Sequence, residues 1–181
     1  MTHKASALRM VWSHGRSDLQ ALKRVMGVVL SLVSVALAVA SDAAALASLA
    51  RESALPGWSE ASLLATFADP QTIARVVRGA TGVAHAFVVA RCAADEVEIL
   101  LVAVAKDARR RGVGSALVAA ALTDSARAGA VAAHLEVRAS NAAAIALYKQ
   151  FGFVAGGRRP RYYDATEDAV LMSRVLGQEA S

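Results

Sequence analysis

Residues 135–153 read Leu135-Glu136-Val137-Arg138-Ala139-Ser140-Asn141-Ala142-Ala143-Ala144-Ile145-Ala146-Leu147-Tyr148-Lys149-Gln150-Phe151-Gly152-Phe153, and this stretch decides the fold. It sets a carboxylate on a short apolar strand, an Asn at a helix start and a Tyr two turns along that helix. Glu136 lies between Leu135 and Val137, so it points away from their shared side. Tyr148 follows Asn141 by seven residues, which puts the two on one helical face. A base, a polar anchor and a phenol can therefore meet at one cleft. Taken singly, each also has an ordinary role. Glu136 suits an exposed or salt-bridged strand position, Asn141 an N-cap, and Tyr148 core packing.

Upstream, Arg109-Arg110-Arg111-Gly112-Val113-Gly114 follows the apolar run Val97 to Val104. A glycine-rich turn entering a helix is an anion cradle, because the first N–H groups of the helix lack intrahelical partners and the dipole favours negative charge. Gly112 and Gly114 let the main chain approach a pyrophosphate without interference from a Cβ. Three arginines before a helix also suit a solvated surface turn. The pattern is neither a P-loop, which needs Lys-Ser/Thr after its second Gly, nor the dinucleotide fingerprint with its third Gly.

The chain of 181 residues suits one domain with a substantial core. It is 56% hydrophobic but only 5% aromatic, so that core must be built from Ala, Val and Leu. The net charge of +5 is concentrated at the start, where residues 1–24 hold five basic side chains against Asp18. The remainder is nearly neutral, which argues against a nucleic-acid-binding domain. Cys92 is the single cysteine, so no intrachain disulfide forms, in keeping with a reducing compartment.

Residues 1–24 fit no periodic pattern and read as a flexible extension, with residues 25–181 a single domain. Val25 to Ala40 is almost continuously apolar and follows Lys23-Arg24, so it suits a secretory signal or an anchor as well as a strand. It is shorter than the roughly 20 residues a bilayer span requires. Val33, Val35, Leu37 and Val39 alternate with Ser34, Ala36, Ala38 and Ala40, a period of two that favours the strand. Ser41-Asp42 then offers a helix N-cap.

Helices are expected over 43–53 and from Ser59 to about Phe67, separated by Leu55-Pro56-Gly57. Thr72–Arg78 and Val83–Ala90 read as a hairpin about Gly79-Ala80-Thr81-Gly82, and Val97–Val104 as the most apolar strand. Then come a helix over Ser115–Ala128 stopped by Gly129, a strand over His134–Val137 and a helix over Asn141–Phe151 closed by Gly152. Phe153–Ala155 and Ala169–Val175 supply the last strands, with a Gly-, Arg- and Tyr-rich loop between them. This order describes an α/β sandwich with a mixed central sheet.

The Arg-x-x-Gly-x-Gly turn after an apolar strand resembles the CoA pyrophosphate motif of the GNAT superfamily of acetyl-CoA-dependent N-acetyltransferases. The Asn141-to-Phe153 stretch most resembles the ribosomal-protein-alanine N-acetyltransferases, the RimI type. The resemblance covers roughly residues 41–176 and implies the GNAT acyl-CoA N-acyltransferase fold, a mixed central sheet flanked by helices. It implies acetyl-CoA as co-substrate and no metal. The amides across Arg110, Arg111, Gly112, Val113, Gly114 and Ser115 would hold the diphosphate, and the main chain of Val102, Ala103 and Val104 the pantetheine arm and acetyl group. Asn141 would hydrogen-bond the cofactor, Glu136 act as general base, and Tyr148 protonate the departing thiolate. Trp58 with the 55–60 turn, and Arg158 to Tyr163, would flank the acceptor channel.

The function so implied is acetylation of a protein N-terminal α-amine in the cytoplasm, the favoured acceptor being the N-terminal alanine of a small-subunit ribosomal protein. Direct attack in a ternary complex is expected, without nucleic-acid or membrane contact. A lysine side chain or small-molecule amine as acceptor, or a non-catalytic acyl-CoA-binding regulator, are the alternatives.

Overall fold

Alternation of apolar side chains builds seven strands into one sheet, ordered β1-β2-β3-β4-β5-β7-β6. The computed structural model describes residues 33–55 and 57–176. The expected extension over 1–24, and the apolar residues 25–32, lie outside the described residues. The strands are β1 (Val35–Leu37), β2 (Thr72–Arg78), β3 (Ala84–Ala93), β4 (Glu96–Val104), β5 (Ala132–Arg138), β6 (Val154–Tyr163) and β7 (Glu167–Val175). The helices are α1 (Ala43–Glu52), α2 (Glu60–Ala68), α3 (Val113–Arg127) and α4 (Ala142–Gln150). All ladders among the described residues are antiparallel except β4 with β5. Among the described residues, no helix is long and apolar enough to cross a membrane.

On one face, Leu46, Leu49 and Ala50 of α1 and Leu63 of α2 pack against Val76, Phe87, Val89, Leu101 and Ala103. Trp58 and Phe67 join this cluster from its rim. The other face carries α3, tied to β2 by Arg75 Nε and Asp124 Oδ2 at 2.6 Å. Within β4 an irregularity changes which residues face which layer. Leu101 pairs with Val89 but Ile99 pairs with Ala90, so Leu100 is an extra residue. Leu101 and Ala103 therefore face α1 and α2, whereas Ile99 and its β5 partner Leu135 fall on the α3 side.

Ser59 caps α2, its Oγ accepting from Ser62 N–H at 3.1 Å. Asp42 does not cap α1 with its side chain. Its carboxylate instead accepts from Val39 N–H at 2.8 Å and pairs with Arg78 at 2.6 Å, fastening the chain between β1 and α1 to β2. The expected loop after Ala155 gives way to a strand. Val154–Tyr163 is one continuous edge strand with exposed side chains until Tyr163, carrying irregularities at Ala155/Gly157 and Arg159/Tyr163.

Phe87 is fully buried between β2, β4 and α1. Phe87→Ala is expected to cost about 3–5 kcal/mol in urea unfolding. Leu64→Ala, on the exposed side of α2, should cost less than about 0.5 kcal/mol.

Candidate active site

β4 and β5 share a ladder only from Glu96↔Ala132 to Ile99↔Leu135. Both strands continue, β4 to Val104 and β5 to Arg138, with their outer edges held by β3 and β7. A gap thus opens past Ile99 and Leu135, bounded by two well-anchored strands. The phase of the β3–β4 ladder decides which main-chain groups face it. Ala105 N–H donates to His85 C=O at 2.8 Å, and hydrogen-bonded pairs alternate along an antiparallel ladder. Ala103 therefore bonds to Phe87, while Val102 and Val104 turn their N–H and C=O groups toward the gap. Arg109 Nε occupies one of these by donating to Val104 C=O at 3.0 Å.

The turn after β4 presents the first N–H groups of α3. Gly112 takes φ +77°, in the left-handed region, and the helix has no side-chain cap. Its first intrahelical bond of this end runs from Ala116 N–H to Gly112 C=O at 2.9 Å. The amides of Val113, Gly114 and Ser115 precede that bond and stay available to an anion. Val113 has a buried side chain, so only its main chain can serve. Gly114 sits close to α4 and β4, although a Cβ at this position would meet only ordinary van der Waals contacts. A Cβ there would stand 3.4 Å from Leu147 Cδ2 of α4 and 3.7 Å from Val104 Cγ2. Arg110 and Arg111 are exposed beside this turn.

Glu136 is the first residue of β5 past the shared ladder. Its alternation with buried Leu135 and Val137 turns it to the face carrying α1 and α2. Its side chain is only 18% exposed and pairs with Arg159 Nε at 3.1 Å. The Tyr162 phenol is held above its ordinary value, first by its hydrogen bond to Glu136 and then by that carboxylate's charge. Arg138, two residues along, does not pair with Glu136. It binds Asp164 at 2.8 Å and Glu167 at 3.1 Å, and lies 4.3 Å from the centroid of the Tyr163 ring. Glu167 in turn accepts from Ser140 N–H at 2.9 Å, which ties the end of β5 to the β6–β7 hairpin.

Tyr148 lies on α4, whose Leu147 abuts the first turn of α3, so the phenol belongs to the α3 side of the sheet. It is buried, edge-on to Phe153 at 5.8 Å between centroids. Burial, followed by the nearby Tyr163, pushes its pKa up to about 12. Asn141 caps α4, its Oδ1 accepting from Ala144 N–H at 3.1 Å, which leaves the amide nitrogen for another partner.

Glu136 and Tyr148 thus stand on opposite faces of the sheet, not together at one cleft as their sequence spacing suggests, and the gap between β4 and β5 is where those faces communicate. Tyr163 connects them electrostatically: its phenol is raised by burial and then by Glu136, and it raises Tyr148 in turn. Val102, Val104 and the α3 turn converge on the same end of the gap, whereas the main chain of Ala103 is directed at β3. The sequence gives no partner for Arg109 or Arg159, since only folding shows which arginine reaches a carbonyl and which a carboxylate. Beside Arg109 lies an open groove of about 470 Å³, lined by Leu49, Glu52, Ser53, Ala105, Lys106 and Asp107.

Residues 43–153 match the acetyltransferase (GNAT) family. The chain is 41% identical over 91 residues to the [Ribosomal protein bS18]-alanine N-acetyltransferase of Escherichia coli K12, an alignment covering 49% of this chain and 62% of that relative. It is 42% identical over 83 residues to the N-alpha-acetyltransferase RimI of Mycobacterium tuberculosis, covering 45% of this chain and 51% of the relative. The chain therefore spans about half to three-fifths of these curated relatives. In structure it is similar to the ribosomal-protein-S18-alanine N-acetyltransferase from Escherichia coli, with TM-score 0.74, 29% identity, and coverage of 82% of this chain and 97% of that one. The sheet parted between β4 and β5, the glycine turn entering α3 and the match over residues 43–153 agree, and the chain belongs to the GNAT acetyltransferase family.

Proposed function

We propose that the protein transfers an acetyl group from acetyl-CoA to a protein N-terminal α-amine, the favoured acceptor being the N-terminal alanine of a small-subunit ribosomal protein. The observation that carries this reading is the gap past Ile99 and Leu135, with Glu136 at its fork and inward-facing main-chain groups on Val102 and Val104. Acetyl-CoA supplies an acetyl thioester already activated toward amines. The amides from Arg110 to Ser115 hold its diphosphate at the start of α3, where the helix dipole favours negative charge. Val102 N–H and Val104 N–H hold the pantetheine arm and polarise the thioester carbonyl, a donor role in which preorganised main chain is effective. The Asn141 amide nitrogen adds a hydrogen bond to the cofactor.

Glu136 receives the proton that the acceptor nitrogen must lose. N-terminal amines ionise near pH 7.7–8.0 and arrive partly as ammonium, so a carboxylate beside the gap matches that need. As the new C–N bond forms and the C–S bond breaks, Tyr148 gives its proton to the departing sulfur. Burial keeps this phenol loaded throughout the neutral range. Direct attack in a ternary complex is the route this reading takes, with Glu136 and Tyr148 acting from opposite faces of the sheet. The relatives named above act on α-amines by their names, which favours an N-terminal acceptor. Cytoplasmic action fits this reading, since ribosomal proteins are the acceptors proposed.

Mass spectrometry of a peptide panel tests the acceptor: acetylation should be confined to free N-termini and strongest on alanine, and preference for a lysine side chain would contradict the reading. Glu136→Gln is expected to lower kcat by about 10²–10⁴-fold with acetyl-CoA affinity nearly unchanged, measured by thiol release and calorimetry. Gly112→Ala forces a side chain into the left-handed region, at a cost of about 1–2 kcal/mol. It should raise the KM for acetyl-CoA about tenfold without altering the acceptor's. Tyr148→Phe should reduce kcat and also change alkaline stability. The folded pKa lies above the unfolded value near 10, so the native state holds its proton longer. Its stabilisation is complete below about pH 10 and is lost as pH rises toward about 12. Melting curves over that range should fall less steeply for the variant.

A further inference from the structure

We propose that Arg159 is the resting counter-ion of Glu136, a guanidinium holding the place that the acceptor's ammonium must take, so that exchange of one cation for the other governs acceptor binding. This deepens the proposed function and rests on Glu136 being the base. Arg159 Nε lies 3.1 Å from Glu136 Oε1, and among the described residues it is the sole cation ion-paired with that carboxylate. The neighbouring cation Arg138 is committed elsewhere, bound by Asp164 and Glu167. Glu136 is mostly covered, whereas Arg159 is 54% exposed, so the pair can open toward solvent without disturbing the core.

The backbone around Arg159 suits such an exchange. Arg159 is the last residue of β6 in register before the irregularity, pairing with Ala169, and the ladder resumes only at Tyr163 with Glu167. Residues 160–162 therefore stand opposite Asp168 alone, and the segment is held less tightly than a regular ladder. While paired with Glu136 the guanidinium also lies against Tyr162, its Cζ 5.4 Å from the ring centroid, a contact that does not depend on the carboxylate. A half-exposed ion pair is weak enough for an incoming cation to displace. Before that happens Arg159 holds the Glu136 carboxylate in place, at 3.1 Å from its Oε1. It is a positioning residue acting through Glu136, and it admits an acceptor that brings a positive charge of its own.

The test is steady-state kinetics at saturating acetyl-CoA with a peptide bearing a free N-terminal alanine. Arg159→Gln should lower the KM for the peptide about 3- to 5-fold, the scale of a part-exposed pair, with the KM for acetyl-CoA unchanged. Arg159→Lys keeps a competing cation and should restore the peptide KM to near the parent value. Measurable transfer by the parent enzyme, with the Arg159→Gln peptide KM unchanged or raised, overturns this inference while leaving the proposed function standing. Absence of transfer by the parent enzyme overturns the proposed function and this inference with it.

Discussion

A parallel pair of strands ordinarily zips along its whole shared length, because an unpaired N–H or C=O inside a sheet is costly. β4 and β5 part after four register pairs, and the rest of the molecule arranges for that parting to persist. β3 holds β4 through Val104, β7 holds β5 through Arg138, and neither strand can swing across to close the gap without breaking its outer ladder. Arg109 satisfies the Val104 carbonyl from outside. The extra residue at Leu100 lies at the fork, where the increased local twist of a bulge helps the strands diverge. The candidate site is a fault in sheet pairing maintained by the strands on either side.

Such a fault also gives access between two faces that a closed sheet would insulate. Glu136 sits on the α1 and α2 side among charged neighbours, and Tyr148 sits on the α3 and α4 side in an apolar setting. The two environments favour opposite tasks. In the proposed reaction the Glu136 carboxylate takes a proton, while a buried phenol, pushed up to about 12, retains one. One gap therefore connects a group suited to take a proton with a group suited to give it. Tyr163, influenced by both, marks where the two environments meet.

Much of this is legible in the sequence. The β-branched run Thr72–Arg78 has the bounds of β2, and the Asn141 cap and the Gly129 and Gly152 stops follow local rules that the structure obeys, both glycines having positive φ. The turn from Arg109 to Gly114 is legible because glycines at the mouth of a helix leave its first amides uncovered, and Gly112 uses that freedom at φ +77°. β6 is not. Its sequence, Val154-Ala155-Gly156-Gly157-Arg158-Arg159-Pro160-Arg161-Tyr162-Tyr163, has the composition of a loop. As an exposed edge strand it has no apolar face whose alternation could announce it. The ion pair of Glu136 is foreseeable as a type but not by partner, because Arg138 is nearer in sequence and on the same face, yet Asp164 and Glu167 claim it.

The position of Arg159 and Tyr162 follows from how β6 accommodates its surplus residues. Between Arg159↔Ala169 and Tyr163↔Glu167, three residues of β6 face one of β7. Pro160 has no N–H to lose from the ladder, which suits it to this place. Arg161 adopts φ +51°, and its N–H is satisfied by Asp168 Oδ1 at 3.0 Å. The same carboxylate lies 3.8 Å from Arg158. Asp168 thus stabilises a backbone detour whose length fixes the faces of the residues beside it. A strand's side chains alternate with period two, so the residue count of the detour decides which face Tyr163 shares with Glu167. Arg159, Tyr162 and Tyr163 can gather about Glu136 and Arg138 because the edge strand is irregular there, and a regular β6 would distribute the same side chains to alternating faces.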